Sequence, residues 1–131
     1  MWINSNQNNI WNFVNIINRN YSLSPWESVL EINLCLRVGR LVIVNAQGYL
    51  NKSGYNFSVD KITLASVPYR PTDPIHFTGL VWSPDNSEKH SLQFYLINED
   101  RFHIIKNDST VKYPQCRYFR FAFIYTTEDS F

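Results

Sequence analysis

Arg117-Tyr118-Phe119-Arg120-Phe121-Ala122-Phe123-Ile124-Tyr125-Thr126 decides the fold. Aromatic rings at 119, 121, 123 and 125 alternate with residues of mixed character. Side chains on a strand point to opposite faces in turn, so a period of two places all four rings on one face. Upstream, Leu30, Ile32, Leu34 and Leu36 alternate with Glu31, Asn33, Cys35 and Arg37, which predicts a half-buried strand with the leucine face inward. Arg40 to Leu50 continues as a second strand, with Leu41 and Ile43 opposing Val42, Val44 and Ala46. A third is predicted over Phe57 to Leu64, entered through the Lys52-Ser53-Gly54 turn. Pro68, Pro71 and Pro74 then mark a loop. Ile75 to Trp82 makes a fourth strand, stopped by the turn residues Ser83-Pro84-Asp85-Asn86-Ser87. His90 to Ile97 makes a fifth, and Asn98-Glu99-Asp100 connects it to a sixth around Phe102 and Ile104. Seven or eight short strands with a turn about every ten residues imply an antiparallel β-sandwich or barrel.

The chain has 131 residues, the length of a single domain with a sizeable core. Aromatic residues make up 16%, which suits strands and also suits stacking on sugar rings. The net charge of +1 and the lack of any basic run exclude the electrostatic footprint of a nucleic-acid binder. No apolar stretch approaches the ~20 residues of a membrane-spanning helix, and the N-terminus lacks the pattern of a secretory signal. Two cysteines, Cys35 and Cys116, make no disulfide framework and read as reduced thiols.

Residues 1–22 differ from the rest, so the chain divides into an N-terminal segment, 1–22, and a binding domain, 23–131. The segment is rich in Asn, yet Ile3, Ile10 and Ile17 are spaced by seven, and Ile10, Phe13, Val14 and Ile17 would share a helical face. A short oligomerising helix and an arm docked on the domain both fit, because Asn and β-branched residues are weak helix formers.

Leu36-Arg37-Val38-Gly39-Arg40-Leu41-Val42-Ile43-Val44, then Ile62-Thr63-Leu64, then Val67-Pro68-Tyr69-Arg70-Pro71 and an aromatic closing strand form an ordered series. The series resembles receptor-binding and baseplate head domains of tailed phages that infect Gram-positive bacteria. It covers roughly residues 29–126. It departs from that pattern in having no Gly in the Asn98-Glu99-Asp100 connection. The resemblance implies a trimeric, non-catalytic head in the virion tail, at a baseplate or fibre tip and made in the host cytoplasm. It also implies binding to host cell-wall polysaccharide or glycerol-phosphate polymer, and contact with other phage tail proteins. A structural baseplate or fibre module working through protein contacts is the alternative, and a polysaccharide-degrading enzyme a more distant one. On their own chemistry, Gly39 reads as a turn or bulge residue, and Pro68 and Pro71 hold Arg70 extended; both elements read as structural.

No catalytic or metal-binding motif is present. His76, His90 and His103 fall on separate strands, and there is no His-x-x-x-His, Cys-x-x-Cys or Gly-x-Ser-x-Gly. No cofactor is expected. Candidates for saccharide contact are Asp73, His76, Trp82, Asp85, His90, Arg101 and His103. His76, Trp82, Asp85 and His90 flank one turn region, and Arg101 and His103 share a face past a hairpin. Trp82, where a strand meets a Pro-Asp-Asn turn, would either stack on a sugar or cap the core.

Overall fold

The structure is a computed structural model that describes residues 18–98 and 102–130. It is all-β, and among the described residues there is no helix. The strands are β1 (Asn18–Tyr21), β2 (Ser24–Pro25), β3 (Ser28–Val38), β4 (Leu41–Leu50), β5 (Lys61–Ser66), β6 (Ile75–Trp82), β7 (Lys89–Leu96), β8 (His103–Asn107) and β9 (Tyr118–Thr126). They form one antiparallel sheet in the order β1-β3-β4-β9-β6-β7-β8-β5-β2. The sheet comes almost full circle, because the chain leaving β2 stays beside β5 before entering β3. Trp26 and Glu27 donate backbone N–H bonds to Leu64 O and Thr63 O, each at 3.0 Å. The Ser28 hydroxyl adds a bond to Leu64 O at 2.8 Å, and the Glu27 carboxylate accepts from Thr63 N at 2.9 Å. One bent stretch, 24–38, therefore borders β5 at its start and β4 along its length, giving a nearly closed barrel with few exposed edges.

Phe119, Phe121, Phe123 and Tyr125 all point into this barrel, as the alternation requires. Each ring lies within 6.0 Å of the next along the strand. Phe77 stacks on Phe123 at 3.9 Å, and Phe57 meets both Phe94 and Phe119 edge-on. Small residues make the room. Val42, Val44, Ala46 and Gly48 of β4 pair with Tyr125, Phe123, Phe121 and Phe119 in turn. A Cβ on Gly79 would come within 2.5 Å of the Phe94 ring.

The strand pattern of β3 is as predicted and Leu30 packs on the core, but past the bulge between Leu30 and Ile32 its sense is reversed. Cys35 and Arg37 are fully buried, while Leu34 and Leu36 face outward and Ile32 is exposed. Register explains the reversal, since Cys35 pairs with Val44 and Arg37 with Val42, both of which face the rings. Arg37 is tolerated inside because its donors are used. Its Nε bonds Gly39 O at 2.8 Å, Nη1 reaches Ser130 O at 3.2 Å, Nη2 bonds Asp129 O, and the guanidinium lies 4.9 Å from the Tyr69 ring centre. Gly39 takes φ +61° in the two-residue β3–β4 turn, the position where a II′ hairpin favours Gly. The loop 67–72 runs beside the end of β9, with Pro71 bridged to Thr127 and Tyr125 Oη donating to Tyr69 O at 2.8 Å.

The third strand begins later than predicted: β5 spans Lys61–Ser66, and Phe57 instead forms an isolated bridge with Tyr113. Asn56, Ser58 and Val59 turn the chain there: Ser58 N donates to the Asn56 side-chain Oδ1 at 2.9 Å, and Val59 N to the Asn56 backbone O at 3.2 Å. The sheet begins at Asn18, inside the stretch read as an N-terminal segment; the Ile10-to-Ile17 helix reading lies outside the described residues. Cys35 and Cys116 are both free and buried, and burial pushes the Cys35 thiol up to about 11.

Gly48 tests the β3–β4 register. A Cβ there would lie 1.9 Å from Val29 O, beside the bulge between Leu30 and Ile32. Backbone cannot yield as a flexible side chain does, so Gly48→Ala is expected to cost about 3 kcal/mol, the upper end of overpacking penalties. Urea denaturation checks this; a midpoint equal to wild type would show that the register is not as described.

Candidate functional site

Alternation across a curved sheet gives each strand an inner and an outer address, and these sort the candidate residues. On β6, Phe77, Gly79 and Val81 face in, while His76, Thr78, Leu80 and Trp82 face out. On β7, Leu92, Phe94 and Leu96 are buried and face in, while Gln93 and Tyr95 face out. His76 and Trp82 thus share the outer face but stand six residues apart, about 20 Å along a strand. His90 pairs with Val81 and so lies on the other face from Trp82, whose partner is Lys89. The turn between β6 and β7 therefore does not gather His76, Trp82, Asp85 and His90 into one site.

Asp85 is occupied within its own turn. Its Oδ1 accepts from Ser83 Oγ at 2.7 Å, Ser87 N at 3.0 Å and Ser87 Oγ at 2.7 Å. These bonds hold its carboxyl at about 2, below the ordinary value. Asp73 is exposed in the loop before β6. His103 packs its ring 4.8 Å from that of Trp26, beside the seam where β5 meets the chain entering β3. Arg101 lies outside the described residues. His90 stacks on Tyr113 at 4.1 Å with the rings 6° from parallel, and its Nε2 is 3.6 Å from the Glu88 carboxylate.

Two outer features stand out in the geometry. The first is a recess of about 310 Å³ lined by His76, Gln93, Phe94, Tyr95, Asn107 and Asp108. His76 and Tyr95 stack there at 4.3 Å, 18° from parallel. Asp108 accepts from Thr110 N at 2.8 Å and Thr110 Oγ1 at 2.6 Å, which keeps its carboxyl below the ordinary range. The recess thus joins an aromatic pair to an ionised carboxylate and two amides. Sequence reading found His76 but not the other five. Gln93 and Tyr95 lie across from Thr78 and His76 on β7, and the pairing of β7 with β8, Tyr95 opposite Ile105, brings Asn107 and Asp108 to them.

The second feature is an apolar outer face across β3, β4 and β9. Ile43 lies between Leu36 and Ile124, and Asn45 between Leu34 and Ala122. Leu41 and Ile124 are about half exposed, at 48% and 59%. The Asn45 Oδ1 in its midst has no hydrogen-bond partner among the described residues. A row of rings bounds this face, with Tyr49 5.5 Å from Tyr118 and Trp82 stacked on Tyr118 at 5.8 Å. Trp82 therefore looks outward and does not cap the core.

Comparisons with protein-family models, with curated proteins and with solved structures find no match to this chain.

The Asp85 turn makes a pH prediction. A carboxyl held below its ordinary 3.8 contributes stability that is present above about pH 4 and lost as pH falls towards 2. The Ser87 amide resonance is expected to titrate with a midpoint near 2; a midpoint near 3.8 would show that the turn does not hold the carboxylate.

Proposed function

We propose that this chain is a non-catalytic binding module of a phage tail, which attaches to host cell-wall saccharide through the recess beside His76. The observation that carries the reading is the recess itself. It is concave, offers the His76–Tyr95 ring pair, and surrounds it with Gln93, Asn107 and the Asp108 carboxylate. Sugars need this combination, since their C–H faces pack on rings while their hydroxyls exchange hydrogen bonds with amides and carboxylates. The charge of Asp108 favours a neutral or cationic sugar at this recess over a phosphate-bearing polymer. Sites of this size bind weakly, so a trimer presented many times on a virion would gain its hold by multivalency.

A second reading, assembly through protein contacts, is favoured by the apolar outer face. Such a face on β3, β4 and β9 is larger in apolar content than an isolated surface leucine would explain. A second copy of the chain would cover it and supply a donor for Asn45. The two readings are compatible in one module, with copies meeting on β3, β4 and β9 and saccharide bound on β6 and β7.

Titration of host-wall oligosaccharide should show Tyr95→Ala and Asp108→Asn each weakening binding by at least about fivefold, the scale of ~1 kcal/mol for a ring or polar anchor. Trp82→Ala should leave saccharide binding and melting temperature near wild type, because Trp82 belongs to neither the recess nor the core. Binding lost only in Trp82→Ala would move the site to the Tyr49–Tyr118–Trp82 row.

The assembly is tested separately. Light scattering is expected to give a trimer for the wild type and a folded monomer for Ile43→Lys combined with Ile124→Asp. A trimer surviving that double change would place the association elsewhere on the chain.

A further inference from the structure

Glu88, His90 and Cys116 come together at one end of the barrel from two separate parts of the chain. Glu88 and His90 belong to the start of β7 and the turn before it, and Cys116 to the segment that precedes β9. One ligand atom from each, a carboxylate oxygen, an imidazole nitrogen and the thiol sulfur, lies within 4.8 Å of the other two. The imidazole and carboxylate atoms are 3.6 Å apart. Ligands of a tetrahedral zinc ion, at ~2.0 Å for N and O and ~2.3 Å for S, stand roughly 3.3–3.6 Å from one another. Small side-chain rotations of Glu88 and His90, both of which are partly exposed, would bring the three to that spacing.

The backbone beneath each residue is fixed independently of any ion. Glu88 N donates to Ser83 Oγ at 3.0 Å, and Glu88 O accepts from Ser83 N at 3.1 Å. Cys116 N donates to Tyr113 O at 3.1 Å, and its O accepts from Phe57 N at 3.0 Å. The Tyr113 ring sets the plane of the His90 imidazole. A thiol, an imidazole and a carboxylate form a mixed S, N and O donor set that suits zinc better than magnesium or calcium, which favour oxygen alone. Three protein ligands leave a fourth position for water, on the side where Glu88 and His90 reach solvent.

We infer that Glu88, His90 and Cys116 form a zinc site that clamps the β6–β7 hairpin to the segment preceding β9. On binding, the Cys116 thiol gives its proton to solvent and the thiolate takes the metal. The site is separate from the saccharide recess and does not depend on that reading. His90 and Tyr113 face the barrel end, whereas His76 and Tyr95 lie on its outer face.

Cobalt(II) substitution supplies the test, because a thiolate ligand gives a near-ultraviolet charge-transfer band and tetrahedral geometry gives intense visible bands. The 131-residue chain, treated with chelator, is titrated with cobalt(II) and then with zinc(II). The expected result is one equivalent of cobalt with a thiolate band, bleached by zinc, and a higher melting temperature with zinc than with chelator. The chain has two cysteines, so the assignment is direct: the band should vanish in Cys116→Ser and persist in Cys35→Ala. His90→Gln changes a partly exposed side chain and keeps the fold, so it decides the matter should Cys116→Ser prove unstable. It should lose the tetrahedral bands and weaken zinc binding at least tenfold. Folded wild type without a thiolate band, or a band unchanged in His90→Gln, overturns the proposal.

Discussion

Everything in this barrel is arranged around the column of rings on β9. Four aromatic side chains on one face of a nine-residue strand must all be buried or all be exposed, because alternation gives no third choice. Burial wins by a wide margin, since each fully buried ring is worth roughly 1.5–3 kcal/mol over its exposed state. Once that face is inward, pairing transmits the choice. β4 must turn Val42, Val44 and Ala46 inward beside the rings, and β3 must then turn Cys35 and Arg37 inward beside β4. A single face choice on one strand thus fixes two more.

That transmission explains what could and could not be read from the residues. The existence of β3, β4, β6, β7, β8 and β9 follows from period two, and their ends fall within a few residues of where the pattern stops. The inner face of β9 is equally plain, because Phe119, Phe121, Phe123 and Tyr125 oppose Arg120. β3 has no such contrast. Taken alone, its leucine face looks like the core face, and Arg37 looks solvated. The reversal begins at the bulge between Leu30 and Ile32 and is held by the pairing of Cys35 and Arg37 with β4, which local periodicity does not contain. Phe57 is a core ring carried by an isolated bridge, so its apolarity alone does not distinguish it from a strand residue.

The recess beside His76 and the apolar face around Ile43 are still less legible. His76 could be singled out because it is a histidine near loops, but its partners in the recess come from β7 and from the end of β8. Ring faces and amides become a site only when register puts them side by side, and a list of polar residues near turns selects for turn chemistry instead. Asp85 shows this well. It carries the loop position and the charge that suggest recognition, yet all its strong contacts serve the Ser83–Ser87 turn.

The motifs that carry the phage resemblance have a different use from recognition. Arg37 ties the chain's end to the β3–β4 turn, Gly39 makes that turn, and Tyr69 receives both the Arg37 guanidinium and, through its carbonyl, the Tyr125 hydroxyl. Arg70 N bonds the Asp129 carboxylate at 2.8 Å. Together these residues lock the 67–72 loop and the last residues over one end of the ring column, a task any barrel built this way must solve. None of them reaches the recess beside His76 or the apolar face around Ile43. The outward side chains of β6 and β7 bear no core load, so they are independent of the residues that close the barrel. His76, Gln93, Tyr95, Asn107 and Asp108 lie outside that series of motifs, so the way the barrel is closed does not determine what the outer face of β6 and β7 presents.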